Sequence, residues 1–167
     1  MSVETTTAAE VMTRTLVTVE PEESPLMAWE LMWRAGVHHL PVVDACCRLV
    51  GVLGREDVAA HRSGGPAEQS QAVVRTLVEG RRCPRVAPDA PLSEVAALMA
   101  DADCGAVPVL GPDDVLRGLV TTTDVLMALA GRRARPAGDP AGDPADDPVD
   151  VKGGLFHLEP VPSVTCP

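Results

Sequence analysis

The chain has 167 residues, 46% of them hydrophobic, which is enough for one domain or for two small lobes sharing a core. Fourteen Lys and Arg stand against 24 Asp and Glu, a formal charge of -10, and this argues against broad attraction to nucleic acid or anionic lipid, whose binding relies on cationic neutralisation of phosphates. The apolar runs end well short of the roughly 20 residues that span a bilayer, and the N-terminus lacks a basic then hydrophobic secretory pattern, so a soluble cytoplasmic protein is expected.

In chain order, residues 1 to 7 are expected to fray and Ala8 to Met12 to open a short helix. Thr15 to Val19 is rich in β-branched residues and reads as a strand. Ser24 then stands as an N-cap with Pro25 in the first turn of a helix, whose apolar stripe is Ala28, Leu31, Met32 and Ala35 and whose end is Gly36. Val37 to Val43 and Leu49 to Leu53 form a hairpin pattern across Asp44 to Arg48, and Arg55 to His61 turns helical. Ser63 to Gln69, with Gly64, Gly65 and Pro66, reads as a linker, and Ala72 to Glu79 as a helix leading onward. The same order then returns: Arg85 to Ala87, a helix with Val95, Leu98, Met99 and Ala102, strands over Gly105 to Leu110 and Val115 to Val120, and a helix through Leu129. From residue 131 the chain is rich in Pro, Gly and Asp, and a largely disordered tail is expected there, with Leu155, Phe156 and Leu158 its apolar content.

This recurrence is a duplication. Shifted by 67 residues, the segment Val19 to His61 matches Val86 to Ala128 without a gap, with 11 identities in 43 pairs. Residues 8–61 make the first copy and residues 72–130 the second, joined by residues 62–71. Each copy is too short to bury a large core alone, so the two are expected to pack together with a symmetric pair of clefts between them. The five cysteines, at 46, 47, 83, 104 and 166, show no C-x-x-C spacing and read as free thiols with no metal site.

The matching words are Val11-Met12-Thr13, His39-Leu-Pro-Val-Val-Asp44 and Gly51-Val-Leu-Gly-Arg-Glu-Asp57 in the first copy. In the second they are Val86-Ala-Pro-Asp89, Ala106-Val-Pro-Val-Leu110 and Gly118-Leu-Val-Thr-Thr-Thr-Asp124. In order, spacing and duplication they resemble the tandem cystathionine β-synthase (CBS) domain pair, or Bateman module, over about residues 8 to 130. The resemblance implies an α+β (α/β) fold of two β-α-β-β-α repeats packed with pseudo-two-fold symmetry. It also implies an adenine-containing ligand such as AMP, ADP, ATP or S-adenosylmethionine between the repeats, and a homodimer.

The residues themselves bear on that site. Gly118 permits close approach to its strand, the helix start that follows offers unpaired N–H groups to a phosphate, and Thr121 and Thr122 add hydroxyls. Asp124 carries two acceptor oxygens suited to a ribose diol, although Thr121-x-x-Asp124 is also nearly a capping box that needs no ligand. In the first copy Gly54-Arg55-Glu56 replaces the threonines. Asp57 is the candidate ribose acceptor there and Arg55 the candidate phosphate contact, with Glu56 repelling an anion. Arg14 and Arg81 hold equivalent places, with Arg82 and Arg85 near the latter. His38 and His39 begin a strand and alternate in direction, so one faces the cleft, and His39 is the candidate. Trp29 and Trp33, spaced i, i+4, are replaced by Ala96 and Ala100 and read as a dimer contact or as core filling.

No Walker loop, His-Glu-x-x-His or Gly-x-Ser-x-Gly is present, so an enzyme is not expected, nor a catalytic cofactor. The expected function is a non-catalytic regulatory sensor that binds an adenosyl ligand and signals to an effector protein by conformational change. A structural dimerisation module with vestigial ligand sites is the alternative.

Overall fold

Ser24 begins the first long helix as its residue type predicts: its hydroxyl accepts the Met27 N–H at 3.1 Å, and Pro25 follows at the first helical position. Helix α2, Pro25–Ala35, buries Ala28 and Met32 and stops at Gly36, which takes φ +64°. Its counterpart α5, Leu92–Ala102, has Pro91 in place of the capping serine and Asp103 in place of the glycine, yet buries Leu92, Val95 and Met99 in the same manner. Caps differ while the apolar stripe persists, because packing supplies most of the stability of such helices. The computed structural model describes residues 5–61 and 72–132. The expected linker over residues 62–71 and the tail over residues 133–167 lie outside them.

Two antiparallel hairpins carry the sheets. Strand β1, His39–Val43, pairs with β2, Leu49–Gly54, and β3, Ala106–Leu110, pairs with β4, Leu116–Thr121. Asp44 Oδ1 closes the first turn by accepting the N–H groups of Cys46 and Arg48, both at 2.9 Å, and a short 3₁₀ turn, Pro112–Asp114, closes the second. Each hairpin runs directly into a helix, α3 (Arg55–His61) or α6 (Thr122–Leu129).

The strands expected at Thr15 to Val19 and Arg85 to Ala87 shrink to single parallel bridges, Val19 to Val42 and Val86 to Val109. Val19 donates to Pro41 O at 3.0 Å and accepts from Val43 N–H at 3.1 Å. Extending that ladder to Val17 needs a donor from Pro41, which has none, and Pro108 imposes the same stop in the second copy. Residues 5 to 7 do not fray as expected. Thr6 is buried, its carbonyl accepts the Leu92 N–H at 2.8 Å, and Thr7 caps the short helix α1, Ala8–Val11, in a reciprocal arrangement with Glu10.

The two leading helices change places. Ala8, Val11 and Met12 pack in the core of the second hairpin with Val95, Val109 and Val120. Helix α4, Val74–Val78, packs Val74 and Val78 in the core of the first with Met32, Leu40 and Leu53. The hydrogen bonds follow suit: Ala8 and Ala9 donate to Ala90 and Pro88, while Val74 and Arg75 donate to Glu23 and Pro21, the residues 67 positions earlier. Gly51 and Gly118 make the room. A Cβ on Gly51 would lie 2.9 Å from Val78 Cβ, and one on Gly118 would lie 2.4 Å from Met12 Sδ. The close approach expected at Gly118 is therefore made by a side chain of the protein. The result is a mixed α+β fold of two similar halves related by a pseudo-two-fold.

Candidate functional site

The cleft between the halves has a volume of about 420 Å³. One wall is the turn from β4 into α6, with Thr121, Thr122, Thr123 and Asp124. The facing wall is the segment Thr15 to Val17 and the residues Gly36 to His39 between α2 and β1, so both copies contribute. Four of the six candidate residues singled out from the sequence meet here, Thr121, Thr122, Asp124 and His39, while Arg55 and Asp57 are not on the lining.

Asp124 holds the turn. Its Oδ2 accepts the Thr121 N–H at 2.7 Å and the Thr121 hydroxyl at 2.9 Å, while the Thr121 hydroxyl accepts the Asp124 N–H at 3.4 Å. The capping box is therefore real, and the Thr121 hydroxyl proton is committed within it. Oδ1 has no hydrogen-bond partner among the described residues, and Asp124 lines the cleft although as a residue it is buried. Burial pushes this carboxyl above its ordinary range, against the opposing pull of the Thr121 bonds.

Thr122 is tied within its own repeat: its N–H donates to Gly105 O at 3.0 Å and its hydroxyl donates to the same oxygen at 3.3 Å. Thr123 was not singled out from the sequence, yet it is exposed, lines the cleft at the first turn of α6, and its hydroxyl carries no bond among the described residues. The signal for it was present in the run of three threonines before Asp124. His39 packs against Gly105, where an added Cβ would lie 3.2 Å from Cε1 and Nε2. Burial lowers its pKa, with Glu56 and Asp57 opposing and His38 assisting. His38 borders the cleft too, because β1 begins only at His39 and strict alternation does not extend back to it.

Arg55 and Asp57 stand apart from that group. Asp57 Oδ2 accepts the Gly54 N–H at 2.8 Å and Oδ1 is ion-paired with Arg81. Arg55 Nη2 points to Met32 O, 3.5 Å away at the C-terminal end of α2. Burial raises the Cys83 and Cys104 thiols, which keeps them protonated and poor nucleophiles. Trp29 packs against the first core, as the core-filling reading expects, and Trp33 is exposed.

Comparison with known proteins places this architecture. Among solved structures, a protein assigned to acetoin utilization (AcuB) from Vibrio cholerae is 26% identical, with a TM-score of 0.66, covering 75% of this chain and 91% of that one. CBSX2 in complex with AMP is 28% identical, with a TM-score of 0.64 over 75% of this chain and 96% of that one. The CBS domain pair of protein MJ0100, in complex with 5′-methylthioadenosine and S-adenosyl-L-methionine, shares the fold at 22% identity and a TM-score of 0.65, covering 75% and 97%. Among curated proteins, homoserine O-acetyltransferase of Methanohalobium evestigatum is 25% identical over 72% of this chain and 23% of its own length. L-aspartate semialdehyde sulfurtransferase of Methanocaldococcus jannaschii is 24% identical over 77% and 24%. The chain thus spans about a quarter of the length of these enzymes. The CBS domain family profile matches residues 8–64 and 78–131. The protein belongs to the CBS domain family and carries two CBS repeats in tandem.

Proposed function

We propose that this CBS pair is a non-catalytic sensor of an adenine nucleotide or adenosyl ligand, taken in the cleft at the β4–α6 turn. AMP, ADP, ATP and S-adenosylmethionine are the ligand class. Asp124 Oδ1 accepts from the ribose hydroxyls, the Thr123 hydroxyl and the start of α6 face the phosphate, and Leu16, Val17 and Val37 offer apolar surface to the base. The observation that carries this reading is the carboxylate oxygen of Asp124, left without a partner in a cleft walled by both repeats. The AMP complex of the 28% identical CBSX2 supports the adenine class.

Ligand contacts to both walls would favour one angle between the repeats, and a separate cytoplasmic effector would read that change. Among the described residues no helix is long and apolar enough to cross a membrane. The same reading includes a homodimer formed through the exposed Leu26, Met27 and Trp33 of α2 and Leu126 and Leu129 of α6. Thermal unfolding with AMP, ATP or S-adenosylmethionine tests the sensor. A ligand at about 100 times its dissociation constant adds about 2.7 kcal/mol to the folded state, and Asp124→Asn should abolish the shift while the variant remains folded. If no adenine compound moves the wild-type transition, the dimerisation module with vestigial sites is the better account.

A further inference from the structure

The two turns that precede α3 and α6 match at the backbone and part company at the carboxylate. Gly54 N–H donates to Asp57 Oδ2 at 2.8 Å much as Thr121 N–H donates to Asp124 Oδ2 at 2.7 Å. The second oxygen of Asp57 is taken by Arg81 Nη1, with the Asp57 side chain only 12% exposed. Arg14, the equivalent of Arg81, turns elsewhere: its Nη2 donates to Ala9 O at 2.9 Å, and Asp124 Oδ1 has no partner among the described residues. Glu56 adds a second difference. Its carboxylate lies over Gly54, where a Cβ would sit 2.4 Å from Oε1, so an acid fills the space that Thr121 fills in the other copy.

We propose that Arg81 is a latch that withholds the β2–α3 turn at Asp57 from adenosyl ligands, so that the chain takes one such ligand and takes it beside Asp124; this rests on the adenosyl reading of the cleft at the β4–α6 turn. A ribose diol is neutral, and it must compete for Asp57 with a guanidinium already in a charge-assisted bond at a mostly buried carboxylate. Glu56 then opposes any phosphate that follows. Arg81 is in this sense a specificity residue: it decides which of two similar turns is open to a ribose.

Isothermal titration of the full chain with 5′-methylthioadenosine, which has the ribose and base but no phosphate, isolates the latch from Glu56. The wild type should bind one equivalent per chain and Arg81→Ala two, with Arg81→Met, which keeps the aliphatic stem, behaving alike. AMP should remain at one equivalent in Arg81→Ala and reach two once Glu56→Gln is added. Asp124→Asn should abolish binding in the wild-type background and leave one equivalent in the Arg81→Ala background. Two equivalents in the wild type, or one in both the wild type and the Arg81 variants, overturn the latch and leave the adenosyl reading of the β4–α6 cleft standing. No binding by any of these proteins overturns both.

Discussion

His39 is the residue whose setting most exceeds what its neighbours in sequence suggest. It starts β1 in the first repeat, packs on Gly105 of the second, and senses Glu56 and Asp57. Burial sets its folded pKa below the ordinary 6.5, so between the two values the unfolded chain holds a proton that the folded chain lacks. Stability from this group is complete above pH 6.5 and is lost as the pH falls through the folded value. His39→Gln should therefore flatten the decline in urea midpoint on acidification below pH 6.5. An unchanged slope would show that the imidazole is not the titrating group. His39 was legible as a candidate because it precedes Leu-Pro-Val, but its contact with Gly105 joins residues 66 positions apart and left no local trace.

At the scale of elements, the hairpins and the helices that follow them are where sequence and structure agree. Asp44 closes a turn and Ser24 caps a helix through bonds to residues within four positions, which local chemistry decides. Gly51 in β2 and Gly118 in β4 are different in kind, since each makes room for a side chain from the other copy, Val78 of α4 or Met12 at the end of α1. Gly51→Ala would press on the Val78 Cβ, a branched and stiff neighbour, and should cost about 1–3 kcal/mol in denaturant unfolding. Gly118→Ala presses chiefly on the Met12 thioether, which can rotate away, and should cost less. Equal losses at the two sites would mean that the helices dock with equal rigidity. The expected first strands failed for a related reason, because Pro41 and Pro108 lie in partner strands far along the chain.

Across the whole molecule, the two repeats differ most at their surfaces. Trp33 is 73% exposed where the second repeat has Ala100, and Leu126 and Leu129 are exposed where the first has Ala59 and Arg62. Large apolar side chains in water are costly to leave uncovered, and they favour self-association. On the proposed homodimer, Trp33→Glu should shift the chain toward monomer by light scattering at low micromolar concentration, with its far-UV spectrum intact. A monomeric wild type, or a variant of unchanged mass, would remove these helices from the account. This asymmetry is readable from the 67-residue shift, but which tryptophan is exposed is not. Trp29 and Trp33 share one helix, and only the seating of α2 on its sheet divides them.

The sequence by itself determined the duplication, the hairpins, the helix that opens at each aspartate, and the candidate turn from Thr121 to Asp124. Each of these depends on residues a few positions apart, whose spacing and hydrogen-bonding chemistry are written locally. Tertiary structure alone decided that α1 and α4 trade cores, that Gly51 and Gly118 serve those helices, and that Arg81 closes on Asp57 while Arg14 bonds to Ala9 instead of Asp124. Two arginines at equivalent positions have the same local meaning. What separates them is the partner that packing brings within reach, and that is a property of the assembled halves.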